Sequence, residues 1–451
     1  MIPQILIDDY DYPLPDERIA KFPLPVRDSS KLLVNTDGCF RAEQFRNIAA
    51  FLPEGALMVF NETKVVPARL FFRRDTGAMI EIFCLEPVEP SDYQLCFATT
   101  EKCRFKAIVG NLKRWKGGVL SLAVDECYCH ENPAVAELDL KAEMVERVDN
   151  TCIVEFSWKG GVPFSKVIEL AGNMPIPPYL NRDTQDVDYV RYQTTYARNE
   201  GSVAAPTAGL HFTPAVMDDI RAKGISTEYL TLHVGAGTFL PVKSHNVAEH
   251  TMHSEPFEVK KSFLQNLSAA LDGGAHAGAG EAGAGEASAG EAAAGEASAG
   301  EAGAGETAAG STAKARPVIS VGTTSTRTLE SLYYIGVHCI ELGEPQVVQQ
   351  WEPYRDEGYS YSAKEAIDAI INYLDANDKD SIIARTSLII LPGFKYRIID
   401  YLVTNFHQPK STLLLLIAAL IGQEWRGMYD FALANGFRFL SYGDSSLLKR
   451  K

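Results

Sequence analysis

Ten consecutive residues from Leu413 to Gly422 carry no polar side chain, and such a run must be buried on most of its sides wherever it folds. It is far short of the roughly 20 residues that cross a bilayer, so it reads as a helix inside a globular core. The residues before it, Thr404-Asn-Phe-His-Gln-Pro-Lys-Ser-Thr412, gather His407, Lys410 and two hydroxyls into one turn. Ser411 or Thr412 can cap the helix, and the free N–H groups of such a terminus favour an anion. Taken alone, the same run is equally well a polar turn leading into the core.

At 451 residues, 46% of them hydrophobic, the chain supports two or three domains with a large core. Its first residues, Met1-Ile-Pro-Gln-Ile-Leu-Ile-Asp8, are too short an apolar stretch for a secretory signal, so a cytoplasmic protein with no membrane segment is expected. The eight cysteines are scattered; Cys127-x-Cys129 is a lone close pair, with His130 beside it and no second pair at zinc-site spacing. Reduced thiols and no structural metal are the expectation.

A net charge of −15 argues against a nucleic-acid partner until its distribution is considered. From residue 273 to 312 the chain repeats a Gly-Glu-Ala-x-Ala pentad, and its six glutamates leave −9 for the remainder. A period of five suits neither a helix face nor a strand, and a glycine in every pentad costs a helix about 1 kcal/mol each time. The tract is expected to be a solvated, disordered insertion.

On either side of it strand and helix alternate. Thr213-Pro214 opens a helix that Gly224 closes. Residues 225–234 then read as a strand ending in Gly235-Ala-Gly237-Thr238, where small residues let a ligand approach the backbone. Residues 317–321 read as a strand, Gly322-Thr-Thr-Ser-Thr326 as a hydroxyl-rich turn and 327–335 as a helix; 388–391, 396–404 and 438–442 supply further strands. Ligands of α/β sheets bind beyond the carboxyl ends of the strands. Residues 71 to about 157 differ. Runs at 79–85, 93–97, 119–124 and 152–156, separated by Gly, Pro and charged turns, predict a small antiparallel barrel. The fold expected is therefore α/β, a main domain in three parts (1–70, 158–272 and 313–451) with an inserted antiparallel β-barrel at 71–157 and the pentad insertion at 273–312. The barrel segment is locally basic, which reads first as a solvated face and second as an RNA contact.

Five polar constellations stand out. His211, in Ala205-Pro-Thr-Ala-Gly-Leu-His211-Phe-Thr213, lies two residues before a helix cap, where it can exchange protons or merely close a loop. Leu232-His-Val-Gly-Ala-Gly-Thr-Phe239 is either a ligand loop or a tight turn, and His250-Thr-Met-His253-Ser-Glu255 has two histidines three apart without the order of a metal motif. Asn61 to Arg69 places cations at a strand end, and Tyr442-Gly-Asp444 presents a carboxylate in a turn or ends the last strand.

Together, and in this order, these segments resemble the S-adenosylmethionine:tRNA ribosyltransferase-isomerases. The resemblance rests on Tyr12-Pro-Leu-Pro-Asp-Glu-Arg-Ile-Ala-Lys-Phe-Pro23, Arg27-Asp-Ser-Ser-Lys-Leu-Leu-Val34, residues 61–70, Tyr192-Gln-Thr-Thr-Tyr196, residues 201–213 and 232–239, Val321-Gly-Thr-Thr-Ser-Thr-Arg-Thr-Leu-Glu330, residues 404–412 and Tyr442-Gly-Asp444. It covers nearly all of the chain outside the pentad tract. Thr195, Tyr401, Gln408 and Ser445-Ser446 depart from the pattern, as does the insertion itself.

The resemblance implies transfer and isomerisation of the ribosyl part of S-adenosylmethionine, a consumed cosubstrate, onto 7-aminomethyl-7-deazaguanine at the tRNA wobble position. The products it implies are epoxyqueuosine-tRNA, adenine and methionine, from a monomer that requires no metal. His211 is the leading proton-transfer residue, with His233 and His407 as rivals. Gly235, Gly237, Thr238, Thr323 and Thr324 would hold the adenosylmethionine, with Thr207, Gly209, Asn405, Ser411 and Tyr442 completing the substrate contacts. Asp444 or Glu255 would meet its cationic or hydroxyl groups. Lys21, Arg27, Lys31, Lys64, Arg69, Arg198 and Lys410 are the candidate RNA contacts. Two other readings are an S-adenosylmethionine-dependent RNA methyltransferase, which would release S-adenosylhomocysteine, and a non-catalytic RNA-binding protein.

Overall fold

The computed structural model describes residues 2–36, 38–235, 244–252, 254–272, 315–355 and 359–451; the pentad tract, Gly237 and Thr238 lie outside them. The strands are β1 (Lys31–Thr36), β2 (Cys39–Gln44), β3 (Leu57–Asn61), β4 (Thr63–Val65), β5 (Arg69–Arg73), β6 (Met79–Glu89), β7 (Lys102–Val109), β8 (Leu120–Leu122), β9 (Lys141–Val148), β10 (Thr151–Ser157), β11 (Asn199–Ser202), β12 (Ser226–Leu232), β13 (Glu255–Lys260), β14 (Val318–Val321), β15 (Ser381–Thr386), β16 (Tyr401–Asn405) and β17 (Ser445–Lys449).

The main body is built on a nine-stranded sheet in the order β15-β13-β12-β3-β14-β16-β17-β1-β2. Its middle four strands, β12, β3, β14 and β16, are mutually parallel, while β13, β15, β17 and β2 join antiparallel neighbours. Parallel strands must be covered on both faces, and the central ones show it: every residue of β3 and β14 is buried. The parallel arrangement brings the carboxyl ends of β12, β3, β14 and β16 to one edge, where the chain turns into its polar loops.

The inserted unit is a closed antiparallel barrel, β10-β7-β6-β5-β8-β9. Alternating burial along β5 and β10 sends one face into its core. That core extends beyond residue 157, because the helix Phe164–Ala171 packs its buried face into it. Arg69 and Asn173 exchange backbone hydrogen bonds of 3.2 and 2.7 Å, closing the neck through which the chain enters and leaves.

Several local expectations are corrected. Residues 93–97 form the helix Tyr93–Ala98 rather than a strand, because the Asp92 carboxylate caps it by accepting from Leu95 N at 2.9 Å. Residues 322–326 are not a free turn; Thr323 already begins the helix Thr323–Leu342. Residues 388–391 are buried but unpaired in the sheet, since side chains satisfy their backbone: Arg327 Nε donates to Leu388 O, and the Tyr354 hydroxyl serves Ile389 O and Leu391 N. The run at 396–404 is strand only from Tyr401, because the N–H groups of Arg397, Ile398 and Ile399 turn to the Glu330 carboxylate at 2.8, 3.1 and 3.0 Å. Residues 438–442 form an irregular turn, with Leu440 at φ 69°, and the last strand follows Asp444 instead of preceding it.

Candidate active site

Where the parallel strands end, two helix N-termini converge. Gly322, at φ 93°, turns the chain from β14 directly into the helix Thr323–Leu342, a conformation that glycine alone adopts cheaply. Ser411 caps the helix Thr412–Ile421, its hydroxyl accepting from Leu414 N at 3.2 Å and donating to Gln408 O at 2.7 Å. Between them lies a cleft of about 850 Å³, including its open mouth, walled by Tyr179, the Ala204–Ala208 segment, Val234, Gly322–Thr324, Thr404–Gln408, Ser411–Leu413, Leu440 and Ser441. The loop 404–412 is tied to the elements around it. The Tyr12 hydroxyl donates to His407 O, His407 N donates to the Tyr429 hydroxyl at 3.0 Å, and Phe406 is buried against Tyr429, Phe437 and Phe439.

Two polar groups on the wall stand out. The His407 ring is buried, hydrogen-bonded through Nε2 to Thr404 Oγ1 at 3.0 Å, and burial pushes its pKa down to about 3, so it is neutral at physiological pH. Asn405 contacts His211 Nε2 at 3.3 Å through Nδ2, while its Oδ1 is buried with no hydrogen-bond partner. A buried acceptor without a donor is costly, and this one belongs to a residue that lines the cleft, so a bound molecule with an N–H or O–H can satisfy it.

Of the residues singled out from sequence, Thr207, Thr323, Thr324, Asn405, His407 and Ser411 line this cleft. His211 does not. It sits one layer behind Asn405, its Nδ1 at 2.9 Å from Ser30 Oγ and its ring against Phe45, and burial lowers its pKa to about 3. Asp444 is tied into the C-terminal turn, accepting from Lys31 N at 3.0 Å and Arg438 N at 2.8 Å. Glu255 is buried in an ion pair with Arg327 at 2.5 Å. His233 stacks on Tyr93 at 3.9 Å in a separate groove between barrel and sheet, where burial lowers its pKa to about 4. Gly209 faces packing rather than ligand: a Cβ there would lie 2.0 Å from the Tyr196 hydroxyl. Gly235 follows the wall residue Val234. Tyr442 donates to Asp188 at 2.7 Å.

Most candidate RNA-binding cations already face carboxylates. Lys21 pairs with Asp16, Lys64 with Glu200, Arg69 with Glu81, and Lys410 with Asp8 and Asp11. Arg198 is largely exposed and 3.9 Å from Glu62, whereas Lys31 and Arg27 donate to backbone carbonyls. Among the described residues no group of His, Cys, Asp or Glu is placed to hold a metal ion, and no helix is long and apolar enough to cross a membrane. Sequence reasoning missed Tyr179 and Ser441, which meet across the cleft wall through their hydroxyls. Tyr179 lies in the single 3₁₀ turn Pro178–Leu180 and Ser441 in an irregular turn, both too short to carry a periodic signal in the sequence.

A sequence profile of the queuosine biosynthesis protein family matches residues 7–307 and 276–448. A protein of Halothermothrix orenii named S-adenosylmethionine:tRNA ribosyltransferase-isomerase is 33% identical over 98% of this chain and 99% of its own. One of the same name from Syntrophotalea carbinolica is 34% identical over 98% and 99%. The chain belongs to the S-adenosylmethionine:tRNA ribosyltransferase-isomerase family. It is thus an enzyme, of the queuosine biosynthesis class. A crystal structure of an S-adenosylmethionine tRNA ribosyltransferase from Thermotoga maritima aligns over 97% of this chain and 99% of that one at 24% identity, with a TM-score of 0.42. Within this ribosyltransferase-isomerase, the matched stretch includes every segment that walls the cleft.

Proposed function

We propose that the cleft binds S-adenosylmethionine and transfers and isomerises its ribosyl moiety onto 7-aminomethyl-7-deazaguanine at the wobble position of tRNA, giving epoxyqueuosine-tRNA, adenine and methionine. The observation that carries this reading is the pairing, in one wall, of a neutral buried imidazole, His407, with the unsatisfied Asn405 acceptor. The reaction needs a group that takes a proton from carbon, an acceptor for N–H or O–H, and a positive nest for a carboxylate. A neutral imidazole accepts a proton, and one that burial holds at about 3 does so weakly. The two helix N-termini offer the nest for the amino-acid carboxylate.

The sulfonium acidifies the adjoining C5′–H bond. His407 takes that proton, and the electron pair forms a C4′–C5′ double bond as C4′–O4′ breaks; O4′ becomes the C1′ carbonyl oxygen as adenine leaves, carrying off the proton. The tRNA amine adds at C4′ and gives its proton to solvent, the C5′ carbanion closes the ring on C1′, and the C1′ oxygen displaces methionine from C5′ to form the epoxide. Asn405 accepts from a substrate hydroxyl or from the attacking amine. His211 acts through Asn405 as a positioning residue, since it stands behind the wall.

The test is mass spectrometry of tRNA bearing the aminomethyl-deazaguanine after incubation with the protein and S-adenosylmethionine. Free adenine and methionine, with the epoxycyclopentane-bearing nucleoside in the tRNA, are the expected products. Release of S-adenosylhomocysteine with a methylated nucleoside would establish a methyltransferase instead. Tight binding without either product would leave an RNA-binding protein.

A further inference from the structure

Behind the cleft lies a second, smaller pocket of about 270 Å³, including its open mouth, lined by His211, Ser30, Arg27, Arg191 and Arg438. Ser441 lines both pockets, so a group bound in one is next to the other. Arg27 donates to the carbonyls of Val190 and Leu210, each at 3.0 Å, and Arg191 to Pro25 O at 3.1 Å. These carbonyls orient the guanidiniums without neutralising them. Among the described residues, no carboxylate stands within ion-pair distance of Arg27 or Arg191, and Arg438 reaches only Asp444, at 3.5 Å. Arg191 Nε is buried and has no hydrogen-bond partner. Burial, reinforced by the neighbouring Arg191 charge, brings the Arg27 pKa down to about 10.

Three converging guanidiniums with so little counter-charge repel one another, and the planar forks match an oxyanion. A carboxylate of the small substrate already has the helix N-termini of the cleft. Phe22, Val26 and Val190, the chain neighbours of the lining residues Pro23, Arg27 and Arg191, are exposed, which suits a polymer lying across the surface. We propose that Arg27, Arg191 and Arg438 form a phosphodiester subsite that grips the RNA backbone beside the cleft. This rests on RNA being the substrate; it adds Arg191 and Arg438 to the binding surface and gives Arg27 its ligand.

Binding of tRNA by the full-length Arg191→Gln and Arg438→Gln variants, followed by fluorescence anisotropy across a salt series, tests the subsite. Each is expected to lose about tenfold or more in affinity and to lower the slope of log K against log salt by roughly one. S-adenosylmethionine affinity, measured calorimetrically, should be unchanged. Arg191→Lys keeps the charge and should recover much of the affinity, and Lys379→Gln, which removes an exposed charge elsewhere, should bind as wild type. If Arg191→Gln does not fold, as judged by thermal melting, Arg438→Gln decides. Unaltered tRNA affinity and salt slope would overturn the subsite, and so would loss of S-adenosylmethionine binding with tRNA binding intact, which would mark a small-molecule carboxylate site. Wild-type protein that binds tRNA but turns over nothing would sink the proposed chemistry while leaving the subsite standing; wild-type protein that does not bind tRNA would sink both.

Discussion

Asn405 stands between His211 and the cleft: one end of its amide meets the His211 ring at 3.3 Å, and the other is buried in want of a donor. That a side chain at the carboxyl end of β16 should face two ways follows from the sheet, since the strand brings it to the edge where β14 and β12 also end. The neutral His211, with Nδ1 near Ser30, is able to accept the Asn405 donor and so fix which way the amide points. The arrangement joins the support of His211 to a buried acceptor on a residue of the cleft wall.

Asn405→Ala removes the acceptor and frees His211 at once. The freed His211 nitrogen should cost about 1 to 3 kcal/mol of stability, and, because the missing acceptor is one a substrate would complete, kcat/KM of the folded protein should drop by roughly 10- to 100-fold. His407→Ala should cost on the order of 100-fold or more, with tRNA affinity near normal. Steady-state kinetics with modified tRNA checks both; wild-type kcat/KM in either variant would remove that residue from the reaction.

Glu255 offers the opposite pattern. Its carboxylate and the Arg327 guanidinium are both almost fully buried, at 7% and 6% side-chain exposure. Glu255→Gln leaves a buried cation without its partner, and breaking such a pair costs about 3 to 5 kcal/mol. The expected result is a large fall in the urea midpoint with little change in the KM for S-adenosylmethionine. A rise in KM at unchanged stability would restore Glu255 as a substrate contact.

The difference between Glu255 and Asn405 shows what the sequence could and could not convey. Periodicity and turn chemistry made the barrel, the capped helix at Thr213-Pro214 and the Ser411 cap legible, because each depends on neighbours in the chain. Residues whose surroundings are assembled from afar were not. Nothing local distinguishes His407, in the cleft wall, from His211, behind it, since His211 meets Asn405 194 positions along the chain only once the protein is folded. Glu330 lies in the run read as a helix at 327–335, and nothing there announces that its carboxylate accepts three backbone N–H groups at the approach to β16. Strand β17 went unseen because Ser445 and Ser446, although fully buried, lack the apolar character that marks a central strand.

The buried histidines also set the response to acid. His211 and His407, with pKa values pushed down to about 3 by burial, stay neutral when folded but take up a proton near pH 6.5 when unfolded. The unfolded chain therefore binds more protons below that pH. Their contribution is present above about pH 6.5 and is lost progressively as pH falls toward 3, by up to roughly 1.4 kcal/mol per pH unit for each histidine. Stability measured by urea unfolding should fall between pH 7 and 5, and His407→Asn should show a shallower fall than wild type. Parallel curves for the two proteins would show that His407 does not titrate in this way.

The described residues on either side of the pentad tract sit close together in the body of the protein. Arg316 N donates to Ala270 O at 2.9 Å, and the Arg316 guanidinium is held by Gly55 O, Ala56 O and Ser226 Oγ. The chain therefore leaves the helix Lys261–Leu271 and re-enters at β14 across a short gap, which a few residues can span. Closing a loop of some 40 residues costs more entropy than closing one of about six, by roughly 1 to 2 kcal/mol on the logarithmic dependence of closure on length. Replacing residues 273–312 by a six-residue Gly-Ser linker should raise stability by about that amount and leave kcat within roughly twofold, since Ala270 and Arg316 lie outside the cleft wall. Calorimetric melting and ribosyl-transfer kinetics on the shortened protein provide the check. A collapse of turnover without a change in melting would show that the tract contributes to the reaction, and that the acidic repeat does more than connect its two ends.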